Sequence, residues 1–157
     1  MENVNWQICN TQGNIFREYA LLMNPKAFRE FVRFYMESDF CNREMDSNYS
    51  WFHLQPPGQS MDFIDKEIPL KTKKDWTYTT KYIYSPDIAW WIGFTYRHLA
   101  LVTKLQSREI VKLIPMDVLE ISYAGLHTID DEQAVEILAA RIGRVKKCGA
   151  SSSKIAE

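Results

Sequence analysis

Ser85-Pro86-Asp87 restricts this chain more than any other stretch of it. A serine hydroxyl can accept a free N–H of a first helical turn. A proline in that turn loses no hydrogen bond, and its φ is already helical. The aspartate sits at the positive end of the helix dipole. The apolar positions Ile88, Ile92, Thr95, Tyr96, Leu99 and Val102 then trace one face to about Lys104. Ser107 reads as the cap of a short helix with Ile110, Val111 and Ile114, which Pro115 ends. A third helix is predicted over Met116–Leu126. Asp130, with Gln133 three residues on, marks the start of a fourth, whose core stripe is Ala134, Val135, Leu138 and Ile142. Residues 85–142 therefore read as a four-helix module.

The N-terminal half is less regular. Ile15, Phe16, Tyr19, Ala20, Leu22 and Met23 fit a short helix or a buried strand. Asn24-Pro25 opens a helix to about Ser38, with Phe28, Phe31, Val32, Tyr35 and Met36 on its stripe. Residues 39–75 contain Pro56, Pro57, Gly58 and Pro69. A structureless loop of that length is unusual in a compact domain. Short strands are expected at Trp51–Leu54 and Ile64–Leu70, and a third at Trp76–Tyr84, where aromatics alternate at period two. The fold class is thus α+β: a mixed part over 1–84, the helical module over 85–142, one domain over 1–145, and a disordered tail over 146–157.

The chain has 157 residues, enough to bury a core without disulfide or metal. Cys9, Cys41 and Cys148 are far apart, and no Cys-x-x-Cys pair occurs. That spacing argues against a zinc site and for a reducing compartment. With no secretory or membrane-spanning pattern, a cytoplasmic location is expected. No metal or cofactor is signalled. The net charge of −1 gives little overall drive toward nucleic acid.

The chemistry-bearing residues are few. Trp90 and Trp91 cannot share one stripe, which leaves Trp90 on a flank as a candidate interface anchor. Arg97 and Lys104 are seven residues apart and share a helix face, suited to a phosphate or a partner's carboxylates or simply to solvent. Tyr96, Arg97 and His98 point about 100° apart, so they do not converge on one ligand. His127 and Thr128 lie in a connection beside Asp130 and Asp131. There the histidine is a candidate base, or a ring that bonds a nearby carbonyl. Lys71, Lys73, Lys74, Trp76, Tyr78 and Lys81 interleave bases with aromatics. Such a segment can bind a single nucleic-acid strand, or form an edge strand guarded by lysines.

The run Trp91-Ile-Gly-Phe-Thr-Tyr-Arg-His, then Thr103, Ser107-Arg-Glu-Ile, Lys112, Pro115, Tyr123, Leu126-His-Thr, Asp130 and Ala134 resembles a group of small bacterial proteins. They are similar in layout to short proteins of toxin–antitoxin neighbourhoods. His98 stands where an aromatic is common in that group, and Asp131 where a proline is common. The resemblance covers residues 85–142. It implies an antitoxin-like role: binding and neutralising a cognate protein, for instance an ADP-ribosyltransferase-like toxin, without catalysis. Trp90, Arg97, His98, Lys104, His127, Thr128 and Asp130 are the expected partner-binding residues. The alternatives are an enzyme acting on a nucleotide or nucleic acid through His127 and Arg97, and a nucleic-acid-binding module over Lys71–Tyr84.

Overall fold

The computed structural model describes residues 1–68 and 83–155, with side chains through 149. Among the described residues every regular element is a helix, and the α+β expectation is corrected to an all-helical fold. The α-helices are α1 (Asn3–Leu22), α2 (Pro25–Glu37), α3 (Pro57–Glu67), α4 (Pro86–Thr103), α5 (Ser107–Leu113), α6 (Met116–Leu126) and α7 (Asp131–Ile155). A π turn (Cys41–Met45) and a 3-10 turn (Trp51–Leu54) lie between α2 and α3.

The expected strands fail for local reasons. Trp51–Leu54 winds into the 3-10 turn, with Ser50 Oγ accepting the Phe52 N–H at 3.2 Å. Pro57 begins α3, which runs through Ile64 to Glu67 and buries Ser60 and Ile64 at helical spacing. A brief aromatic run has no length with which to decide between periods of 2.0 and 3.6, so the flanking caps decide. Of the strand expected at Trp76–Tyr84, residues 76–82 lie outside the described residues, and Ile83 and Tyr84 have no regular structure. The ambiguous N-terminal stretch is helix α1.

The cap signals are placed as the chemistry requires. Asn24 Oδ1 accepts the Ala27 N–H at 2.8 Å, and Ser85 Oγ accepts that of Ile88 at 3.4 Å. Ser107 is the exception, being the first residue of α5 rather than its cap. Its N–H is met at 3.0 Å by Asp46 Oδ2, from the end of the π turn. A carboxylate distant in sequence thus caps α5. α7 continues past Gly143 to Ile155, and residues 143–149 are exposed along it.

Helices α1 and α4 form the centre. Trp6 meets Phe94, and Asn10 meets Trp90, so the two run antiparallel. Their backbones meet at two glycines. A Cβ on Gly93 would lie 2.7 Å from the Gln12 carbonyl oxygen, and one on Gly13 2.8 Å from the Trp90 ring. Around this seam Phe16, Phe28, Phe31 and Tyr35 pack edge-on and tilted, and Tyr19 stacks on Phe31 at 4.0 Å. The 85–142 helices are therefore one side of a core whose other side is α1 and α2.

Two buried histidines give this core a pH dependence. His98 and His53 are both held below the ordinary imidazole range, first by burial. For His98 the acidic neighbours Asp131, Glu132 and Asp130 act against that, and the amino terminus acts with it. His98 Nδ1 has no hydrogen-bond partner. The unfolded chain takes up these protons near pH 6.5, before the folded one does. The stability is thus complete above that value and falls as pH drops below it. Denaturant midpoints at pH 7.5 and 5.5 should show the loss, and His98→Phe should make the dependence shallower. A midpoint unchanged between these pH values would contradict this account. Asp131, whose carboxyl is raised chiefly by burial, bears on the more acidic range.

Candidate functional site

Arg97 faces inward, contrary to its reading as part of a solvated face with Lys104. It is 1% exposed and forms the hub of a polar cluster joining five elements. Its Nε and one terminal nitrogen donate to Gln12 Oε1 at 3.1 and 2.8 Å. The other terminal nitrogen donates to the Met45 carbonyl at 3.0 Å and to Asp46 Oδ1 at 2.8 Å. Ser107 Oγ accepts from the guanidinium at 3.0 Å and donates to Asp46 Oδ1 at 2.6 Å. Tyr35 OH donates to Gln12 Oε1 at 2.9 Å, and Gln12 Nε2 donates to the Gly93 carbonyl at 2.9 Å. Cys41 Sγ lies 3.4 Å from the guanidinium. Burial pushes the Cys41 thiol up to about 11 although Arg97 pulls the other way, which makes it a poor nucleophile. The π turn places this set. Its wider ring, closed by Asp46 N–H on the Cys41 carbonyl at 2.8 Å, brings the Met45 carbonyl and the Asp46 carboxylate to one guanidinium.

The other candidates disperse. Tyr96 OH donates to the Ile114 carbonyl at 2.8 Å. His98 lines a small cavity of about 280 Å³ with Leu101, Val102, Val135 and Glu136. The His127 ring stacks on Tyr123 at 4.0 Å and 9°, and its Nδ1 donates to the Tyr123 carbonyl. Thr128 Oγ1 donates to the Gly125 carbonyl at 3.1 Å. Both contacts close the end of α6. Asp130 is exposed, and its carbonyl accepts the Ala134 N–H at the start of α7. His127 and Arg97 share no partner among the described residues, so the pairing behind the enzyme alternative does not converge. Lys71, Lys73, Lys74, Trp76, Tyr78 and Lys81 lie outside the described residues. Among the described residues no group of His, Cys, Asp and Glu side chains is arranged to hold a metal ion. Nor is any helix there long and apolar enough to cross a membrane.

Two openings collect what is left. Trp90 and His127 meet in a pocket of about 320 Å³ with Arg17, Asp87, Trp91 and Tyr123. Lys104 lines a broader groove of about 910 Å³ with Val4, Ile8, Met45, Tyr49, Trp51, His53 and Leu54. Tyr49 is 94% exposed there and Trp51 60%. Lys104 holds φ of 60°, a left-handed conformation that is costly for a side chain with a Cβ. The strand expected at Trp51–Leu54 hides this groove from the sequence, because a strand would turn alternate side chains to opposite faces. The usable signal was local: Tyr49 and Trp51 flank a serine cap, where a side chain has no helix stripe to join. Comparisons with family models, curated proteins and solved structures return no match to this chain.

Proposed function

We propose that this chain is an antitoxin-like protein that binds a cognate protein through the groove lined by Val4, Tyr49, Trp51, Leu54 and Lys104. The observation that carries the reading is the exposure of these apolar side chains together. Val4 and Leu54 are exposed alongside the two aromatics, while Phe16, Phe28, Phe31, Tyr19 and Tyr35 are buried. Tyr and Trp are the residue types that most often anchor protein interfaces, with a polar rim keeping water out. Glu2, Asn5, Asn48, Ser50 and Gln55 supply such a rim here. The resemblance of residues 85–142 to proteins of toxin–antitoxin neighbourhoods supports the choice of partner. The interface itself is drawn mainly from outside that stretch.

Co-expression with the product of the adjacent gene tests the reading. The expected result is relief of that product's toxicity and a complex that survives purification. Trp51→Glu combined with Tyr49→Glu should weaken the complex at least tenfold, about 1.4 kcal/mol. The melting temperature of the free protein should stay within a few degrees, because both side chains are exposed. No rescue and no complex, or a complex indifferent to both substitutions, would overturn it.

A further inference from the structure

The pocket between α1, α4 and α6 is built differently from the groove. Its walls are immobilised rings. Trp90 stacks on Phe94 with centroids 4.9 Å apart, donates Nε1–H to Asn10 Oδ1 at 2.9 Å, and lies flush against Gly13. Trp91 is buried and meets Tyr123 edge-on at 5.5 Å. Tyr123 is in turn covered by the parallel ring of His127. Because His127 donates Nδ1–H to a carbonyl, its neutral ring keeps a lone pair on Nε2. Rings already fixed lose little freedom when a ligand arrives.

Two opposite charges line the same opening. Arg17 and Asp87 are both exposed, and neither has an ion-pair partner among the described residues. A purely cationic ligand would meet Arg17, and a purely anionic one Asp87. A dipolar ligand satisfies both. The pocket volume stands at the small end of ligand sites, which suits a single residue-sized molecule.

We propose that this pocket binds a free zwitterionic α-amino acid with an apolar side chain. Arg17 takes the carboxylate, in the forked geometry its guanidinium favours. Asp87 and His127 Nε2 accept from the ammonium. The half-buried Trp90 and Tyr123 rings receive the side chain, and the buried Trp91 backs them. The proposal is independent of the groove and of the partner it takes.

The full chain is titrated with L-phenylalanine and L-leucine by calorimetry and by tryptophan fluorescence, Trp90 and Trp91 serving as reporters. Saturable binding of at least one is expected, with Kd on the order of 10–100 μM for so small a ligand. The N-acetyl derivative and the carboxamide should each bind at least tenfold more weakly. Arg17→Gln should remove the preference for the free acid over its amide, and Asp87→Asn the preference for the free amine over its N-acetyl form. Both residues are exposed, so thermal melts should report an intact fold. Absence of saturation to 10 mM (roughly a hundredfold above that range), or derivatives that bind as well as the free amino acids, would overturn the proposal.

Discussion

Arg97→Ala is expected to lower the unfolding free energy by about 3–5 kcal/mol, the range for removing one partner of a buried ion pair. A small domain holds only about 5–15 kcal/mol in all, so this one change takes a large share. The loss comes less from the attraction than from what is stranded. Asp46 keeps one contact from the Ser107 hydroxyl and one from its N–H but loses its counter-charge. Gln12 Oε1 loses two of its three donors, and the Met45 carbonyl loses the guanidinium. Arg97→Lys should rescue little, because one ammonium cannot reach Gln12, Met45, Asp46 and Ser107 from a single point. Arg97→Met combined with Asp46→Leu should cost less than Arg97→Ala, since it removes both charges at once. Denaturant midpoints for the four proteins check this. An alanine variant within about 1 kcal/mol of the parent, the size of an ordinary substitution, would show that the cluster is not the keystone its geometry indicates.

Gly93→Ala is the second. In an exposed mid-helix position alanine would stabilise by roughly 0.5–1 kcal/mol. Here its Cβ would lie 2.7 Å from the Gln12 carbonyl oxygen and 2.9 Å from Phe16 Cγ. The first of these is helix backbone and cannot rotate away, so α1 itself must shift. The cost of such overpacking is about 1–3 kcal/mol, and Gly93→Val should exceed it. Gly125 is the control. Nothing lies within 4 Å of a Cβ there, so Gly125→Ala should stabilise the protein by a fraction of a kcal/mol. Opposite signs at two helical glycines, read from thermal or chemical unfolding, would isolate the close approach as the cause. The Gly93 and Arg97 effects should also fail to add, because both act on Gln12.

How much of this was legible depended on range. Asn24-Pro25, Ser85-Pro86 and Pro115 carry their meaning within four residues, and the helices they mark are in place. α1 carries no such mark: Glu2 makes no side-chain cap bond, and the apolar run from Ile15 fits either period. The burial of Arg97 was illegible for a different reason. Trp90, Gly93, Phe94, Ala100 and Leu101 surround it on its helix, yet an arginine seven residues from a lysine reads as solvated until α1 brings Gln12 to it. Its key partners are 51 and 85 residues away. The same holds for Ser107, whose hydroxyl resembles a local cap until Asp46 is placed beside it. Gly13 and Gly93 did carry a signal, since glycine inside a helical run usually has a packing reason.

The Gln12–Gly93 contact also sets a schedule for synthesis. Its two residues are 81 positions apart, so the α4-facing side of α1 has nothing to pack against until Gly93 has been made. At ~5–20 residues per second, that wait lasts about 4–16 s. For those seconds the residues of α1 that meet α4 in the finished fold, Trp6, Gln12 and Phe16 among them, have no α4 partner.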